Sequence, residues 1–390
     1  MEVRIINNRP VKIWTNELEE SAFRQIENLT TLPFIFHHLA IMPDVHAGMG
    51  MPIGGVLACT DAIIPNAVGV DIGCGMCAVK TNWHVENLTS EVLRKKIMKG
   101  IRKRIPLGMD HHEEPQDEKY LPQGHDIEKT EIVKQRQKAI LHEVGTLGGG
   151  NHFIELQKDE DGMLWIMTHS GSRNLGKLVG DHYNNIAAKL NARWHSVVSP
   201  KINLAFLPRE TKEFGMYWNE MKYCIDFAFC NRKLMMERIQ EVLSEALSGI
   251  EFEPMINIAH NYAAMEHHFS KDVIVHRKGA TLAREGVIGI IPGSQGTASY
   301  IVEGLGNPNS FCSCSHGAGR VLSRKAAIHT LNMAEEVERL EKQGIVHAIR
   351  CQADMQEASG AYKDIETVIA NELDLVKIKT RLLPIAVIKG

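Results

Sequence analysis

Apolar and polar positions alternate along several short stretches of the chain and recur every three or four residues along others, which predicts interleaved strands and helices. Val3 to Trp14 has the alternation of a strand pair around Pro10, and Asn16 to Leu29 the spacing of a capped amphipathic helix closed by Pro33. In FIFHHLAIMPDVHAGMGMPIGGVLACT the alternation is broken by DVHAG, so Asp44 and His46 fall where a strand gives way to a glycine-rich loop. Ser90 to Lys103 reads as a helix, Glu213 to Leu247 as one or two long helices, and Ser323 to Lys342 as another. LWIMTHSGSR reads as a buried strand entering a loop, and VIVHRKGAT and GVIGIIPGSQGTASYIV are strand-like again. Residues 108–134 are polar and without periodicity, which predicts an exposed loop or lid bearing His111, His112 and His125. No regular strand–helix–strand rhythm and no internal repeat is visible, so an α+β fold is expected rather than a doubly wound sheet.

Composition narrows the class. With 390 residues, 44% hydrophobic and 23% charged, the chain can bury a large core and is not disordered; one large domain or two would fit. No long apolar run and no signal-peptide core is present, so a soluble, cytoplasmic protein is expected. Eight cysteines in a chain of this length point to reduced thiols, and Cys224, Cys230 and Cys351 are expected in the core. A net charge of −3 requires any nucleic-acid contact to rest on a local patch. The run Arg94, Lys95, Lys96, Lys99, Arg102, Lys103 and Arg104 is the one candidate, although such runs are more often solvated helix faces.

The chemistry concentrates in VGVDIGCGMC, where Asp71 and Cys74 offer an oxygen and a sulfur to one point among glycines. Histidines follow in settings rich in Gly, Asn or Ser: GGGNHFIE at His152, THSGSR at His169, IAHNYA at His260 and CSHGAGR at His316. Cys74 and Cys77 form a CxxC without a second pair, which disfavours a zinc ribbon, and the glycines disfavour a redox helix; Cys74 is read as a ligand and Cys77 as packed. One carboxylate, one thiolate and three imidazoles exceed what one open catalytic ion needs, unless two ions share the thiolate. Such mixed donors suit manganese, zinc, cobalt or iron. His316 has Arg320 four residues on, and spacing alone leaves it as either a phosphorus nucleophile or a further metal ligand.

These stretches, together with KIWTNELEESA, MPDVHAGMGMPIGGV, HRKGA, PGSQGTASYIV, FCSCSHGAGRVLSR, AYKDIE and the terminal AVIKG, resemble the RtcB-type RNA ligases over nearly the whole chain. The resemblance implies a single α+β domain, residues 1–390, with mixed sheets flanked by helices around a dimetal cleft. It implies joining of an RNA 3′-phosphate or 2′,3′-cyclic phosphate end to a 5′-hydroxyl end, with GTP and two manganese ions, in tRNA splicing or RNA repair. It assigns Asp71, Cys74, His152, His169 and His260 to the metals, with Cys74 bridging. His316 becomes the guanylylated nucleophile and Asp44 the acid that orients it. Asn151, braced by Glu155, would contact phosphate. Ser294, Ser299, Lys389 and a stacking Tyr362 would form the guanosine pocket, and Arg320 and Arg173 would touch phosphate or RNA. Gln295 stands where the family has methionine, and the need for an accessory activating protein is left open. The rival classes are a metal-dependent phosphohydrolase of RNA cyclic or terminal phosphates and a non-catalytic RNA-binding protein.

Overall fold

The structure, a computed structural model, describes residues 1–390. Two large sheets carry the α+β fold. The first orders its strands Glu2–Ile6, Arg9–Ile13, Ile35–His46, Ile53–Cys59, Lys271–Lys278 and Asn261–His268, all antiparallel except the parallel pairing of Arg9–Ile13 with Ile35–His46. The second is antiparallel throughout and orders Ile256–Ala259, Gly75–His84, Met163–Ser170, Phe153–Lys158, Val376–Lys389, Ser299–Gly304 and Ile288–Ile291. The sheets share a core, and the chain steps directly from the second to the first at one residue. Ile256–Ala259 ends in the second sheet, Asn261–His268 begins in the first, and His260 is the step between them.

A single helix, Lys212–Ala246, backs the second sheet and spans about 52 Å at 1.5 Å per residue. Thr211 caps it by accepting from the Phe214 N–H. Met235, Met236, Ile239, Val242 and Leu243 recur on its inner face and pack with Cys77, Val79, Ile154 and Ile166. Each such side chain contributes on the order of 1.5–3 kcal/mol by leaving water.

Local chemistry moves several boundaries. The first strand pair turns at Asn7 and Asn8, both in the left-handed region, while Pro10 lies within a strand. The first helix spans Glu20–Thr30, later than the hydrophobic spacing suggests; at its N-cap the Glu19 carboxylate accepts from the Ala47 N–H rather than from the helix. Ser90 to Lys103 opens with wide π turns over Val92–Met98 before regular helix at Lys99–Arg104. Ser323 to Lys342 divides into Arg324–Thr330 and Met333–Lys342, the second capped by Asn332. Residues 108–134 contain the short turns Glu118–Tyr120 and Ile127–Lys129, and helix Ile132–Glu143 begins before that stretch ends. Within it His125 is not solvent-facing: it bonds Asp226 of the long helix at 2.7 Å. Cys351 is exposed, contrary to its expected place in the core. No helix is long and apolar enough to cross a membrane.

Candidate active site

The metal-ligand candidates collect at one end of four neighbouring strands. Cys74 precedes Gly75–His84, His152 precedes Phe153–Lys158, His169 is the penultimate residue of Met163–Ser170, and His260 follows Ile256–Ala259. The ladders pair Met76 and Phe153 with His169 and Ala259 with Gly75, so register alone brings these side chains together. The His260 N–H also donates to the Cys74 carbonyl at 2.9 Å. Glycine is required at position 75, where a Cβ would lie 1.9 Å from the Ile258 carbonyl oxygen. Asp71 arrives from the preceding turn and places Oδ2 3.3 Å from His152 Nε2.

Cys74 Sγ lies 3.5 Å from His152 Nε2 and 3.2 Å from His169 Nε2, and His169 Nε2 lies 3.4 Å from His260 Nε2. His152 and His169 spend their Nδ1 protons on the carbonyls of Leu147 and Asn151, which leaves each neutral ring with a lone pair at Nε2. Two lone pairs and a sulfur therefore face one another, an arrangement that a cation relieves. Donors at 2.0–2.3 Å from one tetrahedral ion stand about 3.3–3.6 Å apart, close to these separations. Cys74, His152 and His169 thus form a buried cluster able to hold a metal ion, and Asp71 and His260 extend it on opposite sides.

Burial holds the pKa of His169 and His260 well below the usual histidine value. Burial and the Asp71 carboxylate push the Cys74 thiol well up, a bias that a bound cation reverses. Burial also raises Asp71, but the His152 contact outweighs it and the carboxyl stays below its usual range.

His316 follows the short strand Ser313–Ser315, and its ring centre lies 4.9 Å from that of His260. Its Nδ1 contacts Asp44 Oδ2 at 2.5 Å and its backbone N–H donates to the same oxygen at 3.1 Å. Asp44 is fully buried behind the ring; burial raises its pKa, yet the contacts with His316 bring it below the usual range. The turn after His316 needs Gly319, which has φ +74° and whose Cβ would meet the Asp44 carbonyl oxygen at 2.1 Å. With Nδ1 held, Nε2 is the nitrogen left for chemistry.

One cavity of about 1060 Å³ joins these groups, a size that accommodates a nucleotide. Asp71, Cys74, His152, His169, His260 and His316 all line it. Asn151, Glu155, Ser294, Arg320, Tyr362 and Lys389 line it too. Ser299 and Arg173 do not face it. Ser299 Oγ accepts from Gly293 N–H and Gln157 Nε2, both at 3.1 Å, and so shapes the wall. Arg173 donates to the Gly108 carbonyl at 3.0 Å and packs against Gly148. Glu155 bonds Gln157 rather than bracing Asn151, and burial pushes its pKa up to about 8. One face of Tyr362 is covered by the Arg320 guanidinium, 5.0 Å from the ring centre.

Three groups that sequence spacing did not single out organise this cavity. Buried Glu357 accepts from Arg320 and Arg324 at 3.2 Å and from the Tyr362 hydroxyl, and it lies 3.6 Å from Lys389 Nζ. Lys278 ties the Met49 and Asn66 carbonyls at 2.6 and 3.0 Å, and burial pulls its pKa down to about 7. Glu372 accepts from the Ser315 N–H at 2.8 Å and so fixes the approach to His316. Glu357 and Glu372 sit in runs with no motif, where only tertiary pairing reveals them, and Lys278 lies within HRKGA, where spacing does not disclose its role.

A family model described as "tRNA-splicing ligase RtcB" matches residues 25–390. The chain is 37% identical to the "RNA-splicing ligase RtcB" of Escherichia coli strain K12, with all of this chain and 99% of that protein aligned. It is 31% identical to the "tRNA-splicing ligase RtcB" of Thermococcus kodakarensis, over 95% of this chain and 92% of the relative. It is also 31% identical to the "RNA-splicing ligase RtcB" of Mycobacterium bovis, over 94% of this chain and all of that protein. On a match of that extent, the chain belongs to the RtcB family.

Proposed function

We propose that the protein is an RNA ligase that joins a 3′-phosphate or 2′,3′-cyclic phosphate end to a 5′-hydroxyl end, using GTP and two manganese ions. The observation that carries this reading is the pairing of His316 with buried Asp44 at 2.5 Å, beside a thiolate–imidazole cluster in one cavity. A hydrolase needs no guanylyl carrier, so a covalent adduct on His316 separates the two readings.

Asp71 and His152 would hold one ion and His169 and His260 the other, with Cys74 between them. A cation pair held by these residues would supply charge neutralisation for a triphosphate and ease departure of pyrophosphate. Asp44 keeps the His316 proton on Nδ1 and leaves Nε2 free to attack the α-phosphorus of GTP. The N–P bond forms as the bond from that phosphorus to the bridging oxygen breaks, and pyrophosphate leaves. Asp44 then compensates the positive charge that the ring acquires. A 2′,3′-cyclic end is first opened by water, which breaks the bond to the 2′-oxygen and leaves a 3′-phosphate; an oxygen of the RNA 3′-phosphate next takes the guanylyl group, returning the electron pair to Nε2. The 5′-hydroxyl finally attacks the activated 3′-phosphate and releases GMP. Ser294, Tyr362 and Lys389 would hold the guanosine, with Glu357 fixing the last two, and Asn151 and Arg320 would contact phosphate.

The test is treatment with GTP labelled at the α-phosphate plus manganese, followed by mass spectrometry. An acid-labile guanylyl adduct on His316 is expected, with none in His316→Ala, which retains its metal; joining of 3′-phosphate and 5′-hydroxyl RNAs should accompany it. Phosphate release from RNA ends with no adduct would replace this reading with a phosphohydrolase.

A further inference from the structure

We infer that the cationic surface beside the cavity, formed by Lys96, Lys99, Arg102, Lys103 and Arg350, carries the phosphodiester backbone of an RNA strand leading to the joining site. The inference rests on the ligase reading and adds the path of the substrate.

Leu93, Ile97 and Ile101 turn inward against the long helix, which leaves the charged face of Val92–Arg104 outside. Acids one helical turn away can neutralise the cations of such a face. Here only the edges are neutralised: Lys95 pairs with Glu91 at 3.1 Å, and Arg104 with Glu245 at 2.5 Å. Lys96, Lys99 and Lys103 are exposed and lie within 4 Å of no carboxylate. They line a depression of about 570 Å³ with Lys95, Arg104 and Arg238, where Glu245 is the one acid and no apolar side chain takes part. A concave site of that composition recognises a polyanion and no greasy ligand.

Arg102 supplies a second, independent observation. It is half-buried, its Nε has no hydrogen-bond partner, and no carboxylate pairs with it. Its charged neighbour is another cation, Arg350, which likewise has no acidic partner for its guanidinium. A half-buried guanidinium with no counter-ion and a second cation near enough to repel it suits the oxygens of a phosphate. Burial and Arg350 both pull the Arg102 pKa down, the expected sign for a site short of negative charge.

The surface is joined to the cavity by a short link. Five residues after Arg104 the chain reaches Met109 on the cavity wall, and Gly108 N–H donates to the Gly148 carbonyl at 3.1 Å. At 3.6 Å per residue, Arg104 lies within about 18 Å of that wall. The chain as a whole is acidic, at −3, so this excess is local.

The experiment compares the full chain with the triple variant Lys96→Gln, Lys99→Gln, Lys103→Gln and with Arg102→Gln, measuring RNA joining and RNA binding across salt concentrations. For the triple variant the RNA concentration at half-saturation should rise about tenfold, and the slope of log affinity against log salt should fall by about 2, at about 0.7 for each phosphate that is no longer neutralised. Arg102→Gln should lower the slope by less than 1. Guanylylation by GTP and the melting temperature should not change, and the corresponding Lys→Arg triple should restore the slope. An unchanged slope in a native protein that joins RNA overturns the inference. If the native protein joins no RNA, the ligase reading fails instead, and the binding slopes still decide whether this surface holds RNA.

Discussion

Replacing Asp44 by Asn keeps the size of the side chain and removes its charge. Oδ2 receives both the Nδ1 proton and the backbone N–H of His316, while Oδ1 is buried without a partner. An Asn that keeps its oxygen toward His316 therefore buries an amide with no acceptor, a cost of about 1–3 kcal/mol. One that turns its amide toward His316 sets donor against donor and drives the ring proton to Nε2, which blocks the attacking lone pair. On the proposed mechanism the ring would, in either orientation, lose a carboxylate at the moment it becomes positive. A unit charge about 3 Å away at an effective dielectric near 20 supplies roughly 5–6 kcal/mol, nearly four decades in rate. Asp44→Asn should therefore slow single-turnover guanylylation by about 10³ or more, with metal content unchanged. A rate within tenfold of the native protein, in a variant that still holds its metal, would refute the orienting role.

Two further outcomes follow from the geometry. Cys74→Ala should lose bound metal and RNA joining together, measured by metal analysis after desalting; full manganese stoichiometry would exclude a shared thiolate. Burial raises Glu372 from 4.5 to about 8, so between those pH values the folded chain holds a proton that the unfolded chain releases. That residue's contribution to stability consequently falls as pH rises through this window, with a limiting slope of about 1.4 kcal/mol per pH unit. Glu372→Gln should gain stability relative to the native chain between pH 5 and 8 in denaturant titrations; a pH-independent difference would exclude a neutral Glu372.

The chemistry was more legible in the sequence than the architecture that holds it. Asp71, Cys74 and the histidines stand out because each sits among glycines or small polar residues at the end of an apolar run, and the cavity gathers them. What escaped was set by long-range pairing. Glu357 looks like any surface glutamate until Arg320, Arg324, Tyr362 and Lys389 converge on it. Glu19 has the composition of a helix start but is taken by a loop 28 residues away. Tyr362 offers an aromatic face in sequence, and the fold lays an arginine on it. Local pattern specifies what a segment prefers, and partners far along the chain decide what it does.

Because Cys74, His152, His169 and His260 occupy matched ends of four hydrogen-bonded strands, the ladder works as a ruler. One residue added inside any of those strands would shift its donor by about 3.3 Å and turn it to the opposite side. Between the strands no such counting applies. An insertion in the connections of this chain should thus leave the centre intact, whereas one within any of those four segments should displace the donor at its tip.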